Sequence, residues 1–352
     1  MAAPIKVGLL NDMSDGPPCP SDIESWLRRE VDTLVANGRI DRPVEFVQAH
    51  GLGLPGGTAA AVERAVKSLA DQDVLAIIGP AIGDNALVAT PLVERLGVPT
   101  INWAGAERAR GEWMFHLQVG SHEDESLVIA HHLADLGVQR VGVIHDRSPI
   151  GRRHLEYLRS EAEILGLDLV AIASIAPLAE EAGAQVDCLA HARCDAVVYL
   201  GLGLSTPAVA NELSARDWLG HRVMNTAGLR GYHGDFARIV EGWAYVDMHS
   251  DGNRTLGGLR ERLSVPPERA LAAAKGHDLG RLLAEGLAHA PELTRAGVRE
   301  GLERVKWLPA AEGLEGTLLG FGKQDRGALH GRYLVMRQWI GGRSIEMPGP
   351  HN

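Results

Sequence analysis

Short apolar runs alternate with amphipathic stretches along the first hundred residues. The apolar runs are typical of buried strands and comprise Ile5–Leu10, Val44–Val47, Val74–Ile78 and Pro99–Asn102. Between them, apolar residues recur at helical spacing in Ile23–Ala36, Thr58–Ala70 and Asn85–Leu96. Alternation of this kind predicts a parallel sheet that is covered by helices on both faces.

The same alternation begins again near residue 120. Ser121-His-Glu-Asp124 has the spacing of a capping box, which predicts that a helix starts there and ends at Leu136-Gly137. Strands and helices then alternate from Arg140–His145 to the last strand of the series, Trp243–Met248. Two such series in one chain predict an α/β fold with two lobes of similar build, each a mostly parallel sheet flanked by helices.

The last hundred residues mix both kinds of element. Helices are predicted at Leu256–Leu263, at about 267–290 and at Glu292–Val305, and strands at Gly316–Leu319, Arg332–Ile340 and Arg343–Met347. No linker rich in proline, glycine or serine separates the halves, so we expect short crossovers near Gln118–Ser121, Asp247–Asp251 and within Gly316–Arg326. The expected lobes are therefore 1–119 plus 250–321 and 120–249 plus 322–352.

Composition narrows the class of protein. Hydrophobic residues make up 45% of the 352 residues, charged residues 23%, and the net charge is −10. This is the composition of a globular protein, and its acidic balance argues against binding to nucleic acid or to anionic membranes. No apolar run reaches the ~20 residues of a membrane-spanning helix. Cys19, Cys188 and Cys194 have no metal-binding spacing and are expected to be reduced, although Cys188 and Cys194 could pair.

The loops after the strands are the places to look for a site, because ligands of open α/β sheets bind at the carboxyl ends of the strands. The turn Gly79–Asn85 runs into a helix whose free N–H groups could hold a carboxylate, and Asp84 could be a ligand contact or a plain N-cap. It lacks the Lys-Ser/Thr of a phosphate-binding loop. Gly201-Leu-Gly203 lacks the third glycine of a dinucleotide fingerprint, so no cofactor is expected.

Other polar clusters favour structural roles. His122-Glu-Asp-Glu125 and His131-His132 could suggest metal ligands, but adjacent residues on a helix point in different directions, so no metal site is expected. Ser205 has no nucleophile-elbow context and is expected to be an N-cap. No nucleophile pairs with a base, and we expect no catalytic residues.

Several segments, taken in order, resemble those of type I periplasmic solute-binding proteins, in particular the branched-chain amino-acid-binding proteins of ABC transporters. The segments are Ile5-Lys-Val-Gly-Leu-Leu with Met13-Ser14, Val74–Gly79, Gly97–Asn102, Arg140–Asp146 before Gly151, Asp195–Tyr199, and Phe321–Gly327. The resemblance extends from Ile5 to about Met347. It implies two Rossmann-like lobes joined by three crossovers, which enclose a ligand when they close (a Venus-flytrap arrangement).

The resemblance also implies where a ligand would be held. Family members that bind amino acids hold the ligand carboxylate with a serine and a threonine and its ammonium with an acidic residue. Those positions fall here at Gly83, within Ala104-Gly105-Ala106, and at or near Ala227, and two family tyrosines fall near Ile150 and Ser205. The candidate ligand-binding residues are Ser14, Gly83, Asp84, Asn85, Trp103, Ala104, Gly105, Ala106, Ile150, Leu204, Ser205, Thr226, Ala227 and His277.

These replacements remove the groups that bind a zwitterion, and a buried ammonium without a carboxylate partner costs several kcal/mol. The resemblance therefore implies a non-catalytic receptor for an apolar or carboxylated organic molecule rather than a simple amino acid. Its partner would be an ABC permease. The alternative is a cytoplasmic sensor that acts through a regulatory protein. The family is usually periplasmic, whereas Met1–Pro4 has no export signal, so localisation is either cytoplasmic or that of a chain whose leader has been removed.

Overall fold

The computed structural model describes residues 3–15 and 22–348, so Cys19 lies outside the described residues. The chain divides into two compact units, one of residues 1–119 and 251–333 and the other of residues 120–250 and 334–352. It passes from one unit to the other three times, after Val119, Ser250 and Tyr333.

The first unit is built on a parallel sheet. Its strands are β1 (Ile5–Asn11), β2 (Val44–His50), β3 (Ala76–Ile78), β4 (Thr100–Asn102) and β5 (Met114–His116), in the order β2-β1-β3-β4-β5. Its first helices are α1 (Asp22–Ala36), α2 (Ala59–Ala70) and α3 (Gly83–Leu96). Ile77 packs with α2 and α3, whereas Ile78 packs with α1, so successive buried residues of one strand serve opposite faces of the sheet.

The second chain segment of this unit, residues 251–333, is mainly helical. It contains α9 (Arg254–Leu263), α10 (Ala270–Ala288), α11 (Arg295–Glu303) and a small antiparallel sheet of β11 (Leu308–Pro309), β12 (Leu318–Leu319) and β13 (Leu329–His330). Helix α10 lies so close to α1 that a Cβ at Gly276 would overlap the backbone oxygen of Ile23. Lys275 of α10 is buried, and its Nζ lies 2.5 Å from Oε1 of the buried Glu312.

The second unit has a larger sheet. Its helices are α4 (His122–Asp135), α5 (Pro149–Leu165), α6 (Gly183–His191), α7 (Thr206–Ala215) and α8 (Phe236–Ile239). Its strands are β6 (Arg140–Asp146), β7 (Asp168–Ile175), β8 (Ala196–Leu200), β9 (His221–Met224), β10 (Ala244–Asp247), β14 (Val335–Ile340) and β15 (Arg343–Glu346). The strand order is β15-β14-β10-β9-β8-β6-β7, and β14 and β15 pair antiparallel at one edge.

The third boundary between the units differs from the expected one. Residues 322–333 were expected in the second lobe, whereas the structure places them in the first unit. The side chain of Gln118 explains this, because its Oε1 accepts the N–H groups of Ala328 (3.0 Å) and Leu329 (2.9 Å) and ties this segment to the end of β5. Cys188 and Cys194 are free thiols. Among the described residues, no helix has both the length and the apolar character needed to cross a bilayer.

Candidate functional site

In the first unit, Asp12 holds the loop after β3 against the end of β1. Its side chain is buried, and Oδ1 accepts the N–H of Ala81 at 2.8 Å. Oδ2 accepts the N–H of Ile82 at 3.0 Å and the amide Nδ2 of Asn85 at 2.8 Å. One carboxyl group therefore satisfies three donors and fixes the segment in which a ligand contact was expected.

Replacing Asp12 with alanine is expected to lower the free energy of unfolding by about 2 kcal/mol, because buried donors then lose their acceptor. Urea denaturation measures this change. Asp15→Ala is the matched control, since Asp15 is exposed and, within the described residues, accepts the N–H of Leu52 alone, at 3.1 Å. Equal effects of the two substitutions would show that Asp12 does not hold the loop.

Asn85, an expected ligand contact, uses its amide within the first unit. Besides donating to Asp12, it accepts the N–H of Leu54 at 2.8 Å through Oδ1. Gly83, Asp84 and Asn85 form the first turn of α3, and Ile82 is the N-cap. The N-cap role considered for Asp84 is therefore wrong, because the helix begins two residues earlier than the sequence pattern indicates.

The segment after β4 presents small apolar side chains. Ala104 and Ala106 are buried in a cluster with Ala86 and Ala109, and Gly105 between them is half-buried. The carbonyl oxygen of Ala104 lies 2.6 Å from Nε2 of His116. Trp103 is half-buried and packs against the core. This segment thus contributes an indole and no side-chain hydroxyl.

Two other expected contacts of this unit lie apart in the sequence. Ser14 is half-buried in the turn after β1. His277 lies on the face of α10 that meets α1, where its Nδ1 is 2.9 Å from Oε1 of Glu30. His277 therefore lies beside a carboxyl group of its own unit.

In the second unit, Asp146 occupies a position like that of Asp12. It ends β6, its Oδ1 accepts the hydroxyl of Tyr199 at 2.8 Å, and its Oδ2 accepts the N–H of Leu202 at 2.7 Å. Burial raises the pKa of Asp146, and these hydrogen bonds oppose the rise. The carboxyl group thus ties the loop after β8 to the end of β6.

Ser205, an expected ligand contact, joins the same network. Its Oγ lies 3.0 Å from the hydroxyl of Tyr199 and donates to Asp146 at 3.4 Å. Ser205 does occupy the N-cap position of α7, but its side chain makes no capping hydrogen bond there. The expected capping role of this hydroxyl is therefore wrong, because the buried Tyr199–Asp146 pair lies within its reach. Leu204 beside it is half-buried, and Ile150 is buried in the first turn of α5.

The loop after β9 carries the remaining expected contacts. Asn225 is buried and bonded to the backbone of Gly201 through both Oδ1 (3.2 Å) and Nδ2 (3.1 Å). The N–H of Thr226 donates to Oε2 of Glu125 at 2.7 Å. Ala227 is 4% exposed and belongs to the apolar core. Thr226 is half-buried, so among Asn225, Thr226 and Ala227 it is the residue with a partly accessible side chain.

The start of α4 confirms part of the sequence pattern. Ser121 is the N-cap, and its Oγ accepts the N–H of Asp124 at 3.2 Å, as a capping box requires. His122 packs edge-to-face on His154 of α5, with ring centroids 4.6 Å apart. Within the described residues, no group of three or more His, Cys, Asp and Glu side chains is arranged to hold a metal ion.

Four polar residues of these hydrogen-bond networks were not among the predicted ligand contacts, namely Asp12, Asp146, Glu125 and His154. Asp12 and Asp146 carry a recognisable pattern, because each is the first acid after an apolar strand and each lies at the carboxyl end of a parallel sheet. Glu125 and His154 carry none, since their partners lie about 100 and 70 positions away in the chain.

Comparison with known proteins identifies the family. The sequence profile of the family described as periplasmic binding protein matches residues 4–340. The chain belongs to the periplasmic binding protein family. A comparison with curated proteins finds no match.

Solved structures of periplasmic binding proteins share this fold. A type 1 protein from Bordetella pertussis Tohama I has a TM-score of 0.80 at 18% identity, covering 98% of this chain and 100% of its own. A leucine-binding protein from Thermotoga maritima has a TM-score of 0.80 at 15% identity, covering 98% of both chains. A branched-chain amino acid ABC transporter protein from Thermus thermophilus with bound valine has a TM-score of 0.75 at 14% identity, covering 99% of this chain and 97% of its own.

The family and fold inferred from short sequence segments are thereby confirmed. Members of the periplasmic binding protein family bind small molecules without transforming them, which agrees with the expectation of a binding protein rather than an enzyme. Identities of 14–18% show a common fold.

Proposed function

We propose that this periplasmic binding protein is the substrate-binding component of an ABC transporter and closes its two lobes around a small organic molecule. Membership of the family supports the binding role. Structural relatives described as ABC transporter proteins, from Desulfitobacterium hafniense with leucine and from Thermus thermophilus with valine, support the link to transport. A ligand that touches both lobes favours the closed state and so drives the hinge motion.

The proposed ligand is an apolar or carboxylated molecule rather than a simple amino acid. The observation that carries this proposal is the absence of side-chain oxygens at the positions where the family resemblance puts the groups that bind a zwitterion. These positions are Gly83, Ala106, which is 2% exposed, and Ala227, which is 4% exposed. Both alanines pack in apolar clusters.

The other candidate ligand-binding residues have mostly apolar side chains. Asn85, Ser205 and His277 each have a polar partner within their own unit. Trp103, Leu204 and Thr226 are half-buried, and Ile150 is 6% exposed. A lining of this kind, with few polar groups, suits an aromatic or alicyclic molecule.

Isothermal titration calorimetry tests the ligand class. Leucine, isoleucine and valine are expected to bind weakly or not at all, because their ammonium group has no carboxylate partner at position 227. Benzoate and cyclohexanecarboxylate are the matched probes without an ammonium group. Sub-micromolar binding of any of the three amino acids would refute the proposed ligand class.

Small-angle X-ray scattering tests the closure. The radius of gyration is expected to fall when the probe that binds in calorimetry is added at saturation. An unchanged radius at saturation would contradict hinge closure. A ligand sensor acting through a protein partner would close in the same way, and an export leader or its absence upstream of residue 1 in the native gene distinguishes the two roles.

A further inference from the structure

Glu125 is a buried acid of the second unit with one oxygen left unbonded. It lies in the first turn of α4 and is 0% exposed. Its Oε2 accepts the N–H of Thr226 at 2.7 Å, whereas its Oε1 is buried and makes no hydrogen bond. In the described part of the chain, Glu125 forms no ion pair. A buried polar oxygen without a partner is rare in folded proteins and calls for an explanation.

The location of this carboxyl group points to a ligand. Thr226 directly follows β9, at the carboxyl end of the parallel strands, where α/β sheets bind their ligands. The next residue, Ala227, is the position at which the resemblance places an acidic ligand contact. The fold thus brings a different carboxyl group, from α4, to the backbone of the neighbouring residue. Gly120 leaves room for it, since a Cβ there would overlap Oε1.

The protonation state of Glu125 follows from the groups around its carboxyl group. Burial raises the pKa of Glu125 to about 8 and the charge of Asp124 adds to the rise, whereas the N–H and side chain of Thr226 and the backbone of Ser121 oppose it. On the same face of α4, His122 packs against His154, whose pKa burial lowers well below its usual value, so His154 brings no positive charge at neutral pH. Because Oε2 accepts an N–H, the proton of the neutral acid is on Oε1.

We infer that Oε1 of Glu125 donates a hydrogen bond to a carboxylate or carbonyl oxygen of the bound ligand, next to Thr226. This inference rests on the proposed function and makes it more specific. A ligand oxygen accepts the hydrogen bond from the buried O–H of Glu125, whereas a ligand ammonium would place a second hydrogen-bond donor against it. The ligand class is therefore an apolar molecule that carries a carboxylate or a carboxamide.

Calorimetry across a pH series tests this inference. The probes are benzoate, cyclohexanecarboxylate and the two corresponding carboxamides, none of which changes charge between pH 6.5 and 9.5. For the wild type, affinity for the two carboxylates is expected to fall about tenfold for each pH unit above about 8, as Glu125 loses the donated proton, whereas the carboxamides can donate an N–H to the ionised acid and should depend less on pH. Glu125→Gln keeps a donor at every pH, so its affinity should be independent of pH.

Glu123→Gln is the matched control, because Glu123 is exposed in the same helical turn and should leave the wild-type pH profile unchanged. Binding of a carboxylate probe by the wild type with no change up to pH 9.5, or the same fall in Glu125→Gln, would overturn the role of Glu125 and leave the proposed function standing. Failure of all four probes to bind would also overturn the inference. Sub-micromolar leucine binding would instead refute the proposed ligand class.

A second readout needs no ligand. A raised pKa in the folded state means that the protonated acid stabilises the fold at low pH, and that this contribution is lost as pH rises from about 4.5 to about 8. The urea midpoint of the wild type should therefore fall relative to that of Glu125→Gln between pH 5 and pH 9. Parallel midpoints would show that Glu125 is ionised throughout and would overturn the donor role.

Discussion

Replacing Lys275 with methionine is expected to lower the free energy of unfolding by about 3–5 kcal/mol. Lys275 and Glu312 are 3% and 1% exposed at their side chains, and their Nζ and Oε1 atoms are 2.5 Å apart. Lys275 also donates to the backbone oxygen of Gln118 at 3.4 Å. Without its cation, the buried carboxylate of Glu312 loses the ammonium group that lies beside it in the folded protein. Urea denaturation at pH 7 measures the loss.

The double variant Lys275→Met/Glu312→Gln separates the ion pair from packing. Removing both charges is expected to restore at least half of the lost stability, because the buried carboxylate that lost its ammonium partner is then removed as well. Lys67→Met is the exposed control, since Lys67 and Glu63 are about half exposed and 3.8 Å apart, and its effect should stay below about 1 kcal/mol. A double variant as unstable as Lys275→Met would mean that the lysine acts through packing.

Replacing Gly276 with alanine is expected to destabilise the protein by about 1–3 kcal/mol, although alanine is the better helix former. A Cβ at this position would overlap the backbone oxygen of Ile23 and the Cβ of Trp26, so α10 must move away from α1. The backbone of a packed helix cannot relieve such an overlap by changing rotamer, as a flexible side chain can. Thermal and urea unfolding measure the effect.

Gly257→Ala is the matched control within α9. Apart from its chain neighbours and the backbone of α9, no described residue comes within 4 Å of a Cβ built at Gly257, so this substitution should follow helix propensity and stabilise the protein by roughly 0.5–1 kcal/mol. The two substitutions are chemically identical and are expected to have effects of opposite sign. The same sign for both would contradict the close approach of α10 to α1.

The sequence pattern predicted the main elements of both units, because buried parallel strands appear in the sequence as short apolar runs and helices appear as apolar residues at helical spacing. It missed β5, β11 and β13, which have three, two and two residues and are too short for any period. It also placed the third boundary at 321/322 rather than after Tyr333. That boundary depends on hydrogen bonds from Gln118, about 210 positions away, which no local pattern encodes.

The candidate site was predictable in position and less so in chemistry. Asn85, Ser205 and Thr226 follow strands in the sequence, and this suffices to place them at loop and helix starts. The hydrogen-bond partners of their polar groups are residues distant in the chain, such as Asp12 for Asn85 and Glu125 for Thr226. A carboxyl group whose hydrogen-bond partner lies 101 residues away gives no sequence pattern by which to find it.

Native mass spectrometry of the protein purified from its own host tests the central proposal most directly, because binding proteins with closed lobes retain their ligand. The mass difference between the native complex and the denatured chain identifies the retained molecule. We predict an apolar molecule that carries a carboxylate or carboxamide and no α-amino group. Retained leucine, isoleucine or valine would contradict the account.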